Sequence, residues 1–189
     1  TAGSGILHEE FHSERFAKEG GNFHMVQLWV NLPAKDKMTQ PAYQAILNQQ
    51  IPAVELPQSV GSARVIAGSY EGHQGPAKTF TPMHVIDLKI KQGETVTIPT
   101  PDGWNTSLIV LRGAVSAGGS VANEAQMLMF TKEGEDIQIT AEEESVALLL
   151  SGEPIDEPIV GYGPFVMNTK EEIAQAIDDF NQGAFGSIH

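Results

Sequence analysis

Between Ala63 and Leu150 the chain is cut into short apolar-alternating runs, and this pattern constrains its fold more than any other feature. The runs are Ala63–Ala67, His84–Ile90, Thr95–Ile98, Ser107–Leu111, Ala125–Phe130, Ile137–Thr140 and Ser145–Leu150. Alternation with period two is the mark of strands with one face in a core. Turn formers separate the runs: Gly75-Pro76, Gln92-Gly93, Pro101-Asp-Gly103, Gly118-Gly119 and Gly134. Strands this short and this evenly spaced predict an all-β antiparallel sandwich or small barrel.

Either side of that block the texture differs. Residues 23–32, Phe-His-Met-Val-Gln-Leu-Trp-Val-Asn-Leu, place apolar side chains at Met25 or Val26, Leu28, Val30 and Leu32, which predicts a half-buried strand. Pro33, Pro41, Pro52 and Pro57 then break the pattern, with one short helix expected around Ala42–Gln50. Near the end, Thr169-Lys-Glu-Glu172 is a capping box. Ile173, Ala176, Ile177 and Phe180 follow on one helical face, and Gly183 stops the helix. That face is expected to pack on the barrel.

Composition excludes several function classes. A formal charge of −13 opposes a surface that grips phosphate backbones, so direct nucleic-acid binding is not expected. Acidic residues gather at Glu133–Asp136 and Glu142–Glu144, which solubility accounts for. No apolar run approaches the roughly 20 residues of a membrane span. No signal peptide is visible. With no cysteine, disulfides and thiolate-ligated metals are ruled out, which fits a cytoplasmic location. The chain has no initiator Met and opens in mid-motif, as the product of a cut or a truncation would.

The densest chemistry lies at the start, in Gly5-Ile-Leu-His8-Glu9-Glu10-Phe11-His12. Read literally, residues 8–12 match the H-E-x-x-H pattern of zinc peptidases, in which a helix sets both imidazoles on one face. Two upstream glycines suit a turn entering a strand better than a helix start, and Arg15 stands where a longer signature needs Gly. On a strand, His8, Glu10 and His12 would share a face, with Glu9 and Phe11 opposite. An imidazole and a carboxylate together suit iron, manganese or a similar metal. His24 and His73 have no paired spacing to add to them. The alternative is that His8 and His12 are ordinary surface or hydrogen-bonded histidines.

Three segments carry a family resemblance: Thr1–Glu10, then His24-Met-Val-Gln-Leu-Trp-Val-Asn-Leu-Pro33, then Lys37-Met-Thr-Gln-Pro-Ala-Tyr-Gln44. The tail adds Gly152-Glu-Pro-Ile, Gly163-Pro-Phe-Val-Met-Asn-Thr169 and Glu171–Phe180. In order and throughout its length the chain resembles the pirin family. That resemblance implies a bicupin, two cupin β-barrels in one chain, with a metal, usually iron, in the first barrel only. It is held there by three histidines and a glutamate. Gly5-Ile-Leu-His8-Glu-Glu10 matches the family's later ligand segment, so the resemblance assigns His8 and Glu10 as ligands and leaves Glu9 and His12 aside. The earlier His-x-His pair occurs nowhere in these 189 residues.

The organisation this implies is 1–32 as the remnant of a first, incomplete barrel and 33–60 as a Pro-rich linker. A second barrel spans 61–160, and 161–189 forms a C-terminal segment with a short helix. Tested against the cupin pattern, Gly93 is followed after five residues by Pro99-Thr100-Pro101, Thr106 takes the glutamate position, and Gly113 comes six residues later. The second barrel is therefore expected to hold no metal.

The resemblance implies two activities. One is quercetin 2,3-dioxygenase chemistry, with Fe2+ or another divalent metal binding a flavonol and Glu10 accepting its hydroxyl proton. The other is non-catalytic regulation through protein partners. With half a ligand set, this chain as it stands is expected to show little or no catalysis. It is also expected to pair with another copy or with a retained N-terminal fragment.

Overall fold

The computed structural model describes residues 1–187 and divides them into two compact units. One runs from Gln44 to Pro154; the other joins Thr1–Tyr43 to the chain from Ile155 onward. Strands dominate, and among the described residues no helix is long and apolar enough to cross a membrane.

In the Gln44–Pro154 unit the strands are β1 (Ala53–Glu55), β2 (Gly61–Ala67), β3 (Ser69–Tyr70), β4 (His73–Gln74), β5 (Met83–Ile90) and β6 (Thr95–Pro99). They continue as β7 (Asn105–Arg112), β8 (Ala114–Ala117), β9 (Ser120–Asn123), β10 (Met127–Met129), β11 (Asp136–Ala141) and β12 (Ser145–Gly152). Two antiparallel sheets result, in the orders β1-β2-β5-β12-β7-β10 and β6-β11-β8-β9, and β3 and β4 form a small separate ribbon. This is a cupin-type fold, as the resemblance implies, and it is antiparallel throughout, as the alternation predicts.

The register shows what closes it. Across β5, β12 and β7 the inward side chains line up in rows: Leu88, Ala147 and Val110, then Ile86, Leu149 and Leu108. All six are 0–1% exposed. Opposite them the second sheet contributes Val96, Ile98, Val115, Ala117, Ile137 and Ile139 to the same core. Each large aliphatic side chain removed from water stabilises the fold by about 1.5–3 kcal/mol, so the seam between the sheets dominates. Next toward one end comes a third row, His84, Ser151 and Thr106, where the wall turns polar.

The structure adds a hairpin that alternation did not reveal. β8 and β9 flank Gly118-Gly119 and pair Ala117 with Ser120, but Ala-Val-Ser-Ala and Ser-Val-Ala-Asn are too short and too mixed to register as runs. The helix expected around Ala42–Gln50 shrinks to a 3₁₀ turn at Asn48–Gln50. Pro41 and Pro52 leave too few residues between them for a stable α-helix.

The other unit holds α1 (Glu14–Glu19), a hairpin of β13 (Val160–Tyr162) and β14 (Phe165–Met167), and α2 (Lys170–Asn181). The capping box forms as read: Glu172 N–H donates to Thr169 Oγ1 at 3.1 Å, and Thr169 N–H to Glu172 Oε2 at 2.8 Å. The apolar face of α2 meets β13 and β14, the strands just before it. A short loop makes the hairpin the nearest apolar surface.

Phe23–Leu32 form no strand. Met25, Leu28, Trp29 and Val30 are exposed, Trp29 by 67%. Alternation writes the face of a strand, but a strand also needs a neighbour for its N–H and C=O groups, and among the described residues none pairs with residues 23–32.

Two substitutions test this account. Leu149→Ala, in the middle of the central row, should cost about 3 kcal/mol in denaturant unfolding. Thr169→Ala should cost about 1 kcal/mol, read as faster amide exchange through the first turn of α2.

Candidate metal centre

The stretch from Gly5 to His12 adopts neither a strand nor a helix. The α-helix that a zinc-peptidase pairing of His8 with His12 requires begins only at Glu14, where Ser13 caps it by accepting from the Phe16 N–H. Nor do His8, Glu10 and His12 share a strand face, since the backbone there has no ladder partner. The structure separates the histidines instead. The His12 ring lies edge-on to Phe23, with centroids 4.6 Å apart, and stacks on Phe16 at 5.5 Å. Phe16 and Phe23 close the triangle at 5.5 Å, so His12 belongs to an aromatic cluster.

His8 and Glu10 do come together. His8 Nδ1 and Glu10 Oε1 are 4.0 Å apart, with the side chains 58% and 66% exposed. Donors about 2.1 Å from one ion lie about 3.0–3.4 Å apart at cis-octahedral or tetrahedral angles. The pair at 4.0 Å thus suits one metal in donor type and would have to close by about 0.6–1 Å to share it. It does not fit in number. Among the described residues no three His, Asp or Glu side chains gather where an ion could sit.

What places this pair is the packing of the segment before it. The Thr1 ammonium donates to Ala42 O at 2.7 Å, Ala42 N–H returns a bond to Thr1 O at 3.0 Å, and Ser4 N–H donates to Thr39 O at 2.9 Å. Gly3, at φ +52°, lies so close to Thr39 that a Cβ would fall 2.2 Å from its carbonyl oxygen. Residues 31–37 are in turn tied to the chain after Ile155 by a polar clasp. Lys37, only 6% exposed, donates to Asn31 Oδ1 at 2.5 Å. Burial pushes its ammonium below its ordinary pKa, and the nearby Glu157 and Glu172 carboxylates pull it back. Glu157 Oε2 accepts from Ala34 N–H at 2.6 Å and from Asn168 Nδ2 at 3.1 Å. Lys37 and its carboxylates carry no sequence periodicity, and sequence reading missed them.

In the barrel unit, Thr106 occupies the cupin glutamate position with its hydroxyl 2.9 Å from that of Ser151. Thr100, Trp104, Thr106 and Phe130 help line a cavity of about 70 Å³. Beside them the His84 ring tilts against the Trp104 indole, centroids 5.3 Å apart, and its buried Nδ1 has no hydrogen-bond partner. Burial holds the His84 pKa below its ordinary value. Sequence reading passed over His84 as the first residue of a strand; its register with Ser151 and Thr106 was the available signal.

Comparison with known proteins decides the family. Residues 85–186 match the pirin C-terminal cupin domain. Over all 189 residues the chain is 50% identical to a Pseudomonas aeruginosa protein provisionally named as a quercetin 2,3-dioxygenase, covering 66% of it. The chain belongs to the pirin family. Human pirin is 37% identical over 193 residues, with 98% of this chain and 63% of human pirin aligned. A crystal structure of quercetin 2,3-dioxygenase from Acinetobacter baumannii superposes with a TM-score of 0.95 at 49% identity, over 100% of this chain and 66% of that one. This pirin chain thus spans just under two thirds of the length of these relatives.

Two outcomes follow from these geometries. Lys37→Met should destabilise the unit by about 2 kcal/mol, because Asn31 and the two carboxylates lose a charged partner; exchange of the Ala34 amide measures it. The depressed His84 pKa makes the unfolded chain bind the proton first. That contribution is therefore present above about pH 6.5 and is lost as pH falls below it. Urea unfolding of the barrel at stepped pH should show the decline, and His84→Gln should flatten it.

Proposed function

We propose that this chain is the C-terminal part of a metal-dependent dioxygenase of the quercetin 2,3-dioxygenase type, and that His8 and Glu10 are two of the ligands of its divalent metal. The carrying observation is the donor pair at 4.0 Å, in a chain 49% identical to a solved protein of that name. A divalent metal such as Fe2+ would supply the Lewis acidity that binds and polarises a flavonol-like substrate. His8 contributes a neutral donor. Glu10 would contribute a negative one, and its carboxylate would accept the substrate's hydroxyl proton. Both side chains are more than half exposed here, and among the described residues no third ligand stands beside them. As it stands the chain has little or no activity.

A second reading, a non-catalytic module that acts through protein partners in the cytoplasm, is favoured by the exposed run from Met25 to Val30. A sequence with strand alternation and no ladder partner fits a second β-strand, from a longer polypeptide or another copy.

Metal analysis and quercetin-dependent oxygen uptake separate these. A full-length protein containing this chain should bind about one metal and consume oxygen, and His8→Ala should abolish both. Metal-independent behaviour of the full-length protein would favour the second reading. One iron per chain with quercetin cleavage by the 189-residue polypeptide alone would overturn the half-site account.

A further inference from the structure

At the end of the barrel where the inward rows turn polar, three side chains stand abreast on adjacent strands: His84 on β5, Ser151 on β12 and Thr106 on β7. Their hydrogen bonds do not use all that they offer. The buried Thr106 and Ser151 hydroxyls share one bond of 2.9 Å, which commits one of their two protons and leaves the other. His84 Nδ1 is buried and has no hydrogen-bond partner among the described residues. The opposite edge of the ring shows where that nitrogen points. Gly68, at φ +76°, lies so close that a Cβ there would stand 2.3 Å from His84 Cδ2. Gly68 follows β2, on one side of β5, so the Nδ1 edge faces the other side, toward Ser151 and Thr106. Trp104 joins this row to the neighbouring space. Its indole meets the His84 ring at 5.3 Å between centroids, and with Thr100, Thr106 and Phe130 it helps line the cavity of about 70 Å³. An unpaired buried polar group weakens a fold, and a molecule that pairs it regains that loss on binding.

We propose that this end of the Gln44–Pro154 unit is a binding site for a small neutral diol, or for the diol end of a longer polyol. Size sets the first limit. The cavity of about 70 Å³ holds the volume of roughly two waters, and it is less than half of the ~150 Å³ that admits benzene, so an aromatic ring is excluded. Charge sets the second. The exposed Glu133 and Asp136 carboxylates line the cavity beside Lys132, so negative groups outnumber the positive one and an anion is repelled. A cation would exchange its hydration for un-ionised partners only, because the hydroxyls carry no charge and burial keeps the His84 imidazole neutral at pH 7. A diol meets both unpaired groups. One of its oxygens accepts the spare O–H of the Thr106–Ser151 pair, and its other hydroxyl donates to Nδ1 or accepts from it, as the tautomer requires. His84 and Ser151 sit on neighbouring strands, about 4.8 Å apart at the backbone, a gap that a two-carbon diol spans. Its methylene faces pack on the Trp104 and Phe130 rings. The site shares no residue with the His8 and Glu10 pair and does not rest on their reading as ligands.

Titration of the 189-residue chain with ethylene glycol, followed by NMR of the Trp104 indole and the His84 ring, provides the test. The exposed Trp29 indole is the internal control for solvent effects. Trp104 and His84 should shift along one saturable curve with a midpoint on the order of 1–10 mM, while Trp29 drifts without saturating. His84→Phe keeps a ring and Thr106→Val keeps the volume, yet each removes a polar atom of the row. Each should weaken binding about tenfold with Leu149 amide protection retained. Ser151→Ala, which adds no bulk, gives the same reading if Thr106→Val does not fold. Unsaturable shifts shared equally by Trp104 and Trp29 mean that only water occupies the cavity and overturn the site. Wild-type affinity in both His84→Phe and the hydroxyl variant overturns it as well. Tighter binding of acetamide, methylammonium or acetate at the same resonances overturns the diol assignment.

Discussion

The contact on which the rest of the barrel depends is the apolar seam between its two sheets, centred on Leu149. β12 lies between β5 and β7, so each inward side chain it carries meets one from either neighbour: Leu149 stands between Ile86 and Leu108. The second sheet closes over this row with Ile137, Ile139 and Ile98. Period-two alternation admits only one register here, because a slip of one residue would turn Leu149 out and Leu150 in along the whole strand. Once the seam is set, the end at which the row becomes His84, Ser151 and Thr106 is fixed as the polar mouth.

That seam also explains what was legible. The runs that carry it were visible because burial on one face writes alternation into sequence, and six of the seven anticipated strands coincide closely with observed ones. The run at Ala125–Phe130 shortens to Met127–Met129, on a sheet edge, and the β8–β9 hairpin around Gly118-Gly119 was seen only as a turn. Edge strands bury less, so alternation marks them less. The capping box at Thr169 was equally readable, because its two hydrogen bonds depend only on residues three apart.

The N-terminal region shows the converse. Phe23–Leu32 carry a clear strand pattern and form no strand, because the pattern specifies a face and not the neighbour that completes a ladder. For the candidate site the strand geometry expected from sequence is absent. His8 and Glu10 were chosen through resemblance, and they meet at 4.0 Å without the strand that was expected to align them. His12 looked like their equal and instead joins Phe16 and Phe23, a choice made by aromatic neighbours four and eleven positions on.

The parts that hold the site are those with no local signature. Lys37, Glu157 and Asn168 are separated by more than a hundred residues from one strand of the clasp to the other, and Phe185 lies near the opposite terminus from Gly5. Such contacts cannot be read from periodicity, since neither partner repeats. They order a segment with no secondary structure of its own: residues 1–7 are held by Thr39, Ala42 and Phe185, which lie in the stretches read from sequence as a linker and a C-terminal segment. His8, Glu10 and the residues that hold the segment before them are thus one unit of structure, although the sequence writes them as three distant segments.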